Sequence, residues 1–287
     1  MNRRVTFALF LGIALIGGRA LSVETVPKEI RDAAQIFTEG MIVVKGIGAA
    51  PTDRPLSSAQ KEALALRAAK IVALRELGEI AGGIRVAGDS SIADAAAASD
   101  QIRGTMDAFI RGAEVIHESY DDGREKAVVY VRLSLNGPNS LVENLLPKIM
   151  QQKVANLPAA PAYKPPPAEA PHSAPQPVDS LIIDATGKNF RPALINRIVA
   201  ANGSVLFEPS KIAPEILAKK GCGDYTSDVG KAKAILASHG ANNPMVVTIA
   251  AVQRSTDAQV GESDAATIFA ANQRTNFLES AKVVFVL

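Results

Sequence analysis

Residues 158–177 hold eight of the chain's seventeen prolines, three of them consecutive at Pro165, Pro166 and Pro167. A prolyl nitrogen carries no proton and its ring fixes φ, so this stretch is neither a helix interior nor a central strand. It offers almost no aromatic or β-branched side chains to bury. The sequence therefore predicts a solvated, polyproline-II-like tether, about 60 Å long if extended at about 3.1 Å per residue. Such a tether makes the chain on either side find its own core.

The N-terminus reads as an export signal. Arg3 and Arg4 precede an apolar run over residues 5–16, followed by Gly17-Gly18-Arg19-Ala20. A positive start, a short apolar centre and small residues near the cut fit a signal peptide spanning residues 1–20, cleaved after Ala20. The run is short of the roughly 20 residues a membrane span needs. No cysteine lies nearby to take a lipid. The expectation is a periplasmic protein with no transmembrane span after cleavage, any outer-membrane association running through partners.

Without signal and linker, roughly 240 residues remain, enough for two domains of about 110 residues. A net charge of +2, dispersed Lys and Arg, no Trp and 5% aromatics give no basic or stacking platform for nucleic acid. The single cysteine, Cys222, cannot form an intramolecular disulfide or a cysteine metal site. It reads as a small side chain in a Gly-rich turn.

The first domain is expected over residues 24–140. Val26-Pro27 opens a short helical pattern with Ile30, Ala33, Ala34 and Phe37 on one face, and Gly40 sits where a C′ glycine would. The run 41–48 should be a strand. Ser57 and Gln60 make a candidate capping box for a helix of about 24 residues ending at Gly82-Gly83. In that helix Leu66, Ala73, Leu77 and Ile80 should line the core stripe, with Leu64, Ile71 and Leu74 beside it. Residues 84–86 can form a short strand, and the alanine-rich segment up to Phe109 reads as helical or irregular. Residues 114–120 and 126–135 form a hairpin around Asp121-Asp122-Gly123. Residues 141–178 read as an amphipathic helix interrupted at Pro147 and then the linker.

The order strand, Gly-x-Gly, long Ala/Arg helix, then Ser99-Asp100-Gln101-Ile102-Arg103, Phe109-Ile110-Arg111-Gly112-Ala113 and a closing hairpin resembles a bacterial envelope module over about residues 40–135. The family is named after a twenty-kilodalton outer-membrane lipoprotein, and the N-terminal domain of flagellar assembly protein T is similar. The resemblance implies a non-enzymatic envelope protein, in some members placed around the flagellar basal body. This chain lacks the lipidated cysteine of the lipoprotein members.

The second domain, residues 179–287, alternates strands and helices. Residues 180–187 read as a buried strand and turn. Residues 195–200 and 204–207 should form a hairpin around Asn202-Gly203. Short helices are expected over 214–219 and from the Asp228 cap to His239-Gly240, with a strand over 244–252. A short strand at 258–260, a helix from Ser263 and a strand over 281–287 follow. The arrangement of Leu181-Ile182-Ile183-Asp184-Ala185, Asn243-Pro244 before an apolar strand and Asn276-Phe277-Leu278 before the last strand is similar to C-terminal halves of larger members of the same family. The expected class is α+β, or mixed α/β: two small domains, each a mixed or antiparallel sheet packed with helices, joined by a proline-rich linker.

Little in the sequence speaks for chemistry. Gly46-x-Gly48 lacks the rest of a dinucleotide motif and reads as a close backbone approach. His117, His172 and His239 have no metal-ligand spacing, and no Gly-x-Ser-x-Gly elbow occurs. The reading therefore has no catalytic residue, cofactor or metal. Arg103, Arg111 and Asp184 are the candidates for partner or ligand contact; for Asp184 the competing role is turn formation. The expected function is an envelope structural or assembly factor that docks envelope or flagellar basal-body proteins. The alternative is a periplasmic module binding a small ligand or peptidoglycan near Asp184.

Overall fold

A computed structural model describes residues 26–153, 155, 157–166 and 177–287. The expected signal, residues 1–20, and residues 167–176 of the proline-rich stretch lie outside the described residues. The class is α+β in a two-domain arrangement.

The first domain runs α1 (Ala33–Glu39), β1 (Met41–Ala49), α2 (Ser58–Gly83), β2 (Arg85–Ala87), β3 (Ser90–Ser91), α3 (Ile92–Ala98), α4 (Asp100–Arg111), β4 (Glu114–Asp121), β5 (Lys126–Ser134) and α5 (Leu141–Gln151). Its main sheet is antiparallel, in the order β1-β5-β4. The first helix starts later than its apolar pattern suggested. Asp32 Oδ1 accepts from the Ala34 and Gln35 N–H groups and so fixes the start. Ile30, expected on that helix, instead exchanges backbone hydrogen bonds with Val43 at the edge of β1.

The capping box of Ser57 and Gln60 opens α2 as expected. Its buried stripe differs: Ala65, Ala69, Ala73, Leu77 and Ala81 face the sheet, while Ile71 is 59% exposed. The cause is on β1. A Cβ at Gly46 would lie 2.0 Å from the Ala69 carbonyl oxygen, and one at Gly48 would lie 2.4 Å from that of Ala65. Helix and strand meet backbone to backbone, so only alanine fits between them.

The second domain comprises β6 (Ser180–Asp184), β7 (Arg197–Val199), β8 (Val205–Phe207), α6 (Pro214–Lys220), β9 (Asp224–Thr226), α7 (Val229–Ser238), β10 (Pro244–Thr248), β11 (Ala251–Gln253), β12 (Asp257–Gln259), α8 (Glu262–Thr275) and β13 (Val283–Val286). The order β10-β6-β13-β9 makes a wholly parallel sheet. A mixed second sheet has the order β11-β12-β7-β8. The run 244–252, expected as one strand, is divided between the two sheets. On one face of the parallel sheet, α7 covers Ile182, Val284 and Val286 with Ala232 and Leu236. On the other, the Phe285 ring stacks on Phe190 and Tyr225, with centroids 5.6 and 5.5 Å away.

The two domains share one apolar core. Phe37 of α1 meets the Tyr225 ring edge-on at 4.9 Å. The Leu194 and Ile195 N–H groups donate to the Arg85 and Val86 carbonyls, and α5 packs on α6. The last helix of the first domain also continues through Pro147, which is exposed, and buries Leu141, Val142, Leu145, Leu146 and Ile149. Proline deletes one helical hydrogen bond here without ending the helix.

Residues 157–166 correct the expectation of a solvated tether. The Val205 N–H donates to the Pro161 carbonyl and the Tyr163 N–H donates to the Val205 carbonyl, so Ala162 pairs parallel to the edge of β8. Tyr163 is 3% exposed, its hydroxyl donates to Glu262 Oε1 at 3.2 Å, and its ring lies 5.8 Å from that of Phe269. Extended polyproline geometry resembles an edge strand. Pro161 is needed there only as an acceptor, so its missing donor costs nothing.

Candidate functional site

Two clefts of the first domain border α4. Ser99 caps it by accepting from the Ile102 N–H, and only Ile102 is fully buried. Met106 and Ile110 sit over glycines of α2: a Cβ at Gly82 would lie 3.4 Å from Met106 Cε, and one at Gly78 3.3 Å from Ile110 Cδ1. The helix is therefore a ridge between two open clefts. One, of about 450 Å³, is lined by Gly82, Gly83, Ala93, Ala97 and Met106, with Glu79 and Arg103 also on its walls. The other, of about 330 Å³, is lined by Phe109, Gly112, Glu114, Arg132 and Asn139. Arg132 Nη2 is 2.5 Å from Glu114 Oε2.

Arg103 is anchored in the first cleft: Nη2 donates to the Ala96 carbonyl at 3.2 Å and Nη1 lies 3.1 Å from Asp100 Oδ1. Arg111 is exposed in the last turn of α4, where its charge suits the helix dipole. The two are about 12 Å apart along the axis at 1.5 Å per residue. Asp184 lies in the other domain at the end of β6, and its Oδ1 accepts from the Thr186 N–H at 3.0 Å. Turn formation accounts for that contact. Neither cleft includes Asp184 or Arg111.

A buried polar seam escaped the sequence reading. Arg197 Nη2 lies 2.7 Å from Asp257 Oδ2, with the two side chains 4% and 1% exposed. Arg197 Nη1 also donates to the Pro158 carbonyl at 3.1 Å, which fixes the root of the docked linker. Nearby, the Gly88 N–H donates to Thr256 Oγ1 at 2.8 Å. A Cβ at Gly88 would meet Arg254 Nη2 at 2.9 Å. Half of the signal was present: Arg197 interrupts the β-forming run 195–199, where a buried charge requires a partner, whereas Asp257 follows the polar stretch Gln253-Arg254-Ser255-Thr256 and gives no such sign.

Other titratable groups serve structure. Burial pushes the Cys222 thiol and the Tyr225 phenol upward, which leaves Cys222 an inert thiol. The Tyr225 hydroxyl donates to the Ala193 carbonyl at 2.7 Å. Burial also holds Asp224 above its ordinary value, opposed by His239 and Lys220. His117 meets Tyr130 edge-on at 5.7 Å. Among the described residues, no group of three or more His, Cys, Asp or Glu is placed to hold a metal. His172 lies outside them.

The fold is that of a two-domain α+β protein, and the two clefts described above lie on its first domain. Residues 180–287 match the family model described as Treponema pallidum Tp0624, second domain. That match covers the parallel and mixed sheets but not the ridge. No curated protein matches the chain.

Proposed function

We propose that the protein is a non-enzymatic structural or assembly factor of the bacterial periplasm and envelope, acting by docking other proteins. Envelope or flagellar basal-body proteins are its partners in this reading, and no cofactor, metal or nucleic acid enters it. The supporting observation is the α4 ridge: an exposed helix between two open clefts, with Arg103 anchored on one wall. Small side chains there let a partner's backbone approach closely, and Arg103 with Glu79 offers charges of both signs. The alternative centred on Asp184 gains nothing from its position, because its Oδ1 holds the Thr186 N–H. Among the described residues, no helix is long and apolar enough to cross a membrane.

The test places a photo-crosslinking residue at Ala97, and as a control at Lys233 on α7, in cells of the source bacterium. The docking reading predicts one defined envelope-protein adduct from Ala97, lost on Arg103→Glu, and none from Lys233. Equal labelling from both positions, or none from Ala97, overturns it. Normal motility and flagellar structure in a deletion strain would remove the flagellar version alone.

A further inference from the structure

Of the other sheet edges described above, β11 is only three residues long and the rest are blocked. The outer edge of β4 carries a bulge between Val115 and His117, and Glu114, Glu118 and Asp121; bulges and charges deter pairing. On β1, Ile30 pairs with Val43 and the Lys45 N–H donates to Glu29 Oε1. The edge of β8 is taken by Ala162, and β9 lies against α1. The edge of β10 differs. Pro244-Met245-Val246-Val247-Thr248 has no charge, its pairing with β6 has no bulge, and Val246 is 43% exposed. The Ile249 N–H donates to the Asp184 carbonyl, which sets the alternation. Met245 and Val247 turn their backbone groups to β6, while Val246 and Thr248 present theirs to the open side.

We propose that β10 is a self-association edge: two copies pair their β10 strands antiparallel about a two-fold axis at Val246, joining two four-stranded sheets into one. In this register Val246 faces Val246 of the second copy and the pair exchanges both N–H···O bonds. Each Thr248 N–H meets the Pro244 carbonyl of the other copy. The missing proline donor leaves only the Thr248 carbonyl to water. A second copy is the occupant that fits, because the strand is uncharged and its bonding pattern is self-complementary under a two-fold. Charged partner strands would find no counter-charge on residues 244–248. Four hydrogen bonds and a valine pair fall well short of the roughly 1,600 Å² of a standard interface. The dimer is therefore weak and concentration-dependent.

Val246→Cys tests the register. Cys222 is buried and is the natural chain's single cysteine, so the new thiol is the accessible one. Hydrogen-bonded antiparallel pairs place Cα atoms about 5.5 Å apart, within disulfide reach. The expected result is a disulfide-linked dimer forming at least about tenfold faster than from Ser134→Cys, an exposed control on the first domain. Sedimentation equilibrium up to about 1 mM should show the natural chain's mass rising toward the dimer. Val246→Lys should stay monomeric. Thr248→Pro, which deletes an outward N–H, should weaken association if the lysine variant fails to fold. A natural chain monomeric throughout, a dimer that both substitutions leave intact, or crosslinking no faster than the control overturns the proposal.

Discussion

In the first domain α2 lies on β1 at backbone distance, with Gly46 and Gly48 beneath Ala65, Ala69 and Ala73. In the second, Phe285 fills the space between sheet and neighbours with stacked rings. Within the shared core, the first region is limited by what can be added and the second by what can be taken away. The difference follows from composition: the first domain concentrates alanine on its long helix, and the second spends its large side chains under a parallel sheet.

Substitutions can break that comparison. Gly46→Val should cost the most, upward of about 4 kcal/mol, because its Cβ meets helix backbone that cannot rotate away. Denaturant unfolding measures it, and a loss below about 1 kcal/mol would mean the helix can lift. Phe285→Ala should cost about 3–4 kcal/mol by leaving a cavity, whereas Ala73→Gly should cost only about 1 kcal/mol. Equal losses from the two truncations would erase the contrast. Tyr163→Ala should cost about 2–3 kcal/mol and expose residues 157–166 to proteases, since this ring docks the linker. Unchanged stability and unchanged cleavage would restore the free tether.

The smallest effect is electrostatic. Burial opposes the charged form of Asp179, but the Asn242 N–H, the Ser180 hydroxyl and the Asn243 N–H outweigh it and hold the carboxyl below its ordinary value of 3.8. A lowered folded pKa gives stability that is present above about 3.8 and lost as pH falls through the folded value. Asp179→Ala should therefore cost about 1–2 kcal/mol at pH 7. The gap from the natural chain should close below pH 3.8. A gap that persists in acid would assign the loss to packing.

Local signals were readable in the sequence wherever a residue acts on its neighbours in the chain. Ser57 with Gln60, Asp228, Gly40 and Asn202-Gly203 lie at the caps and turn their chemistry predicts. Long-range partners were not. Leu66 and Ala65 compete for the core side of α2, and Gly46 and Gly48 on another element decide between them. Pro161 and Tyr163 look solvated until the edge of β8 is there to receive them. The three residues of β9 are too few to show a period. At the candidate site, Arg103 was named from the sequence as a candidate contact and lines the cleft, whereas Glu79 and Met106 join it only through the packing of α4 on α2.

The central claim is that the two domains, despite the proline-rich stretch between them, share a core through Phe37, Tyr225, α5 and α6. Differential scanning calorimetry of the chain tests it directly. A shared core predicts one transition whose calorimetric and van't Hoff enthalpies agree, shifted as a whole by Tyr225→Ala. Two resolved transitions, with that substitution moving only one, would contradict it.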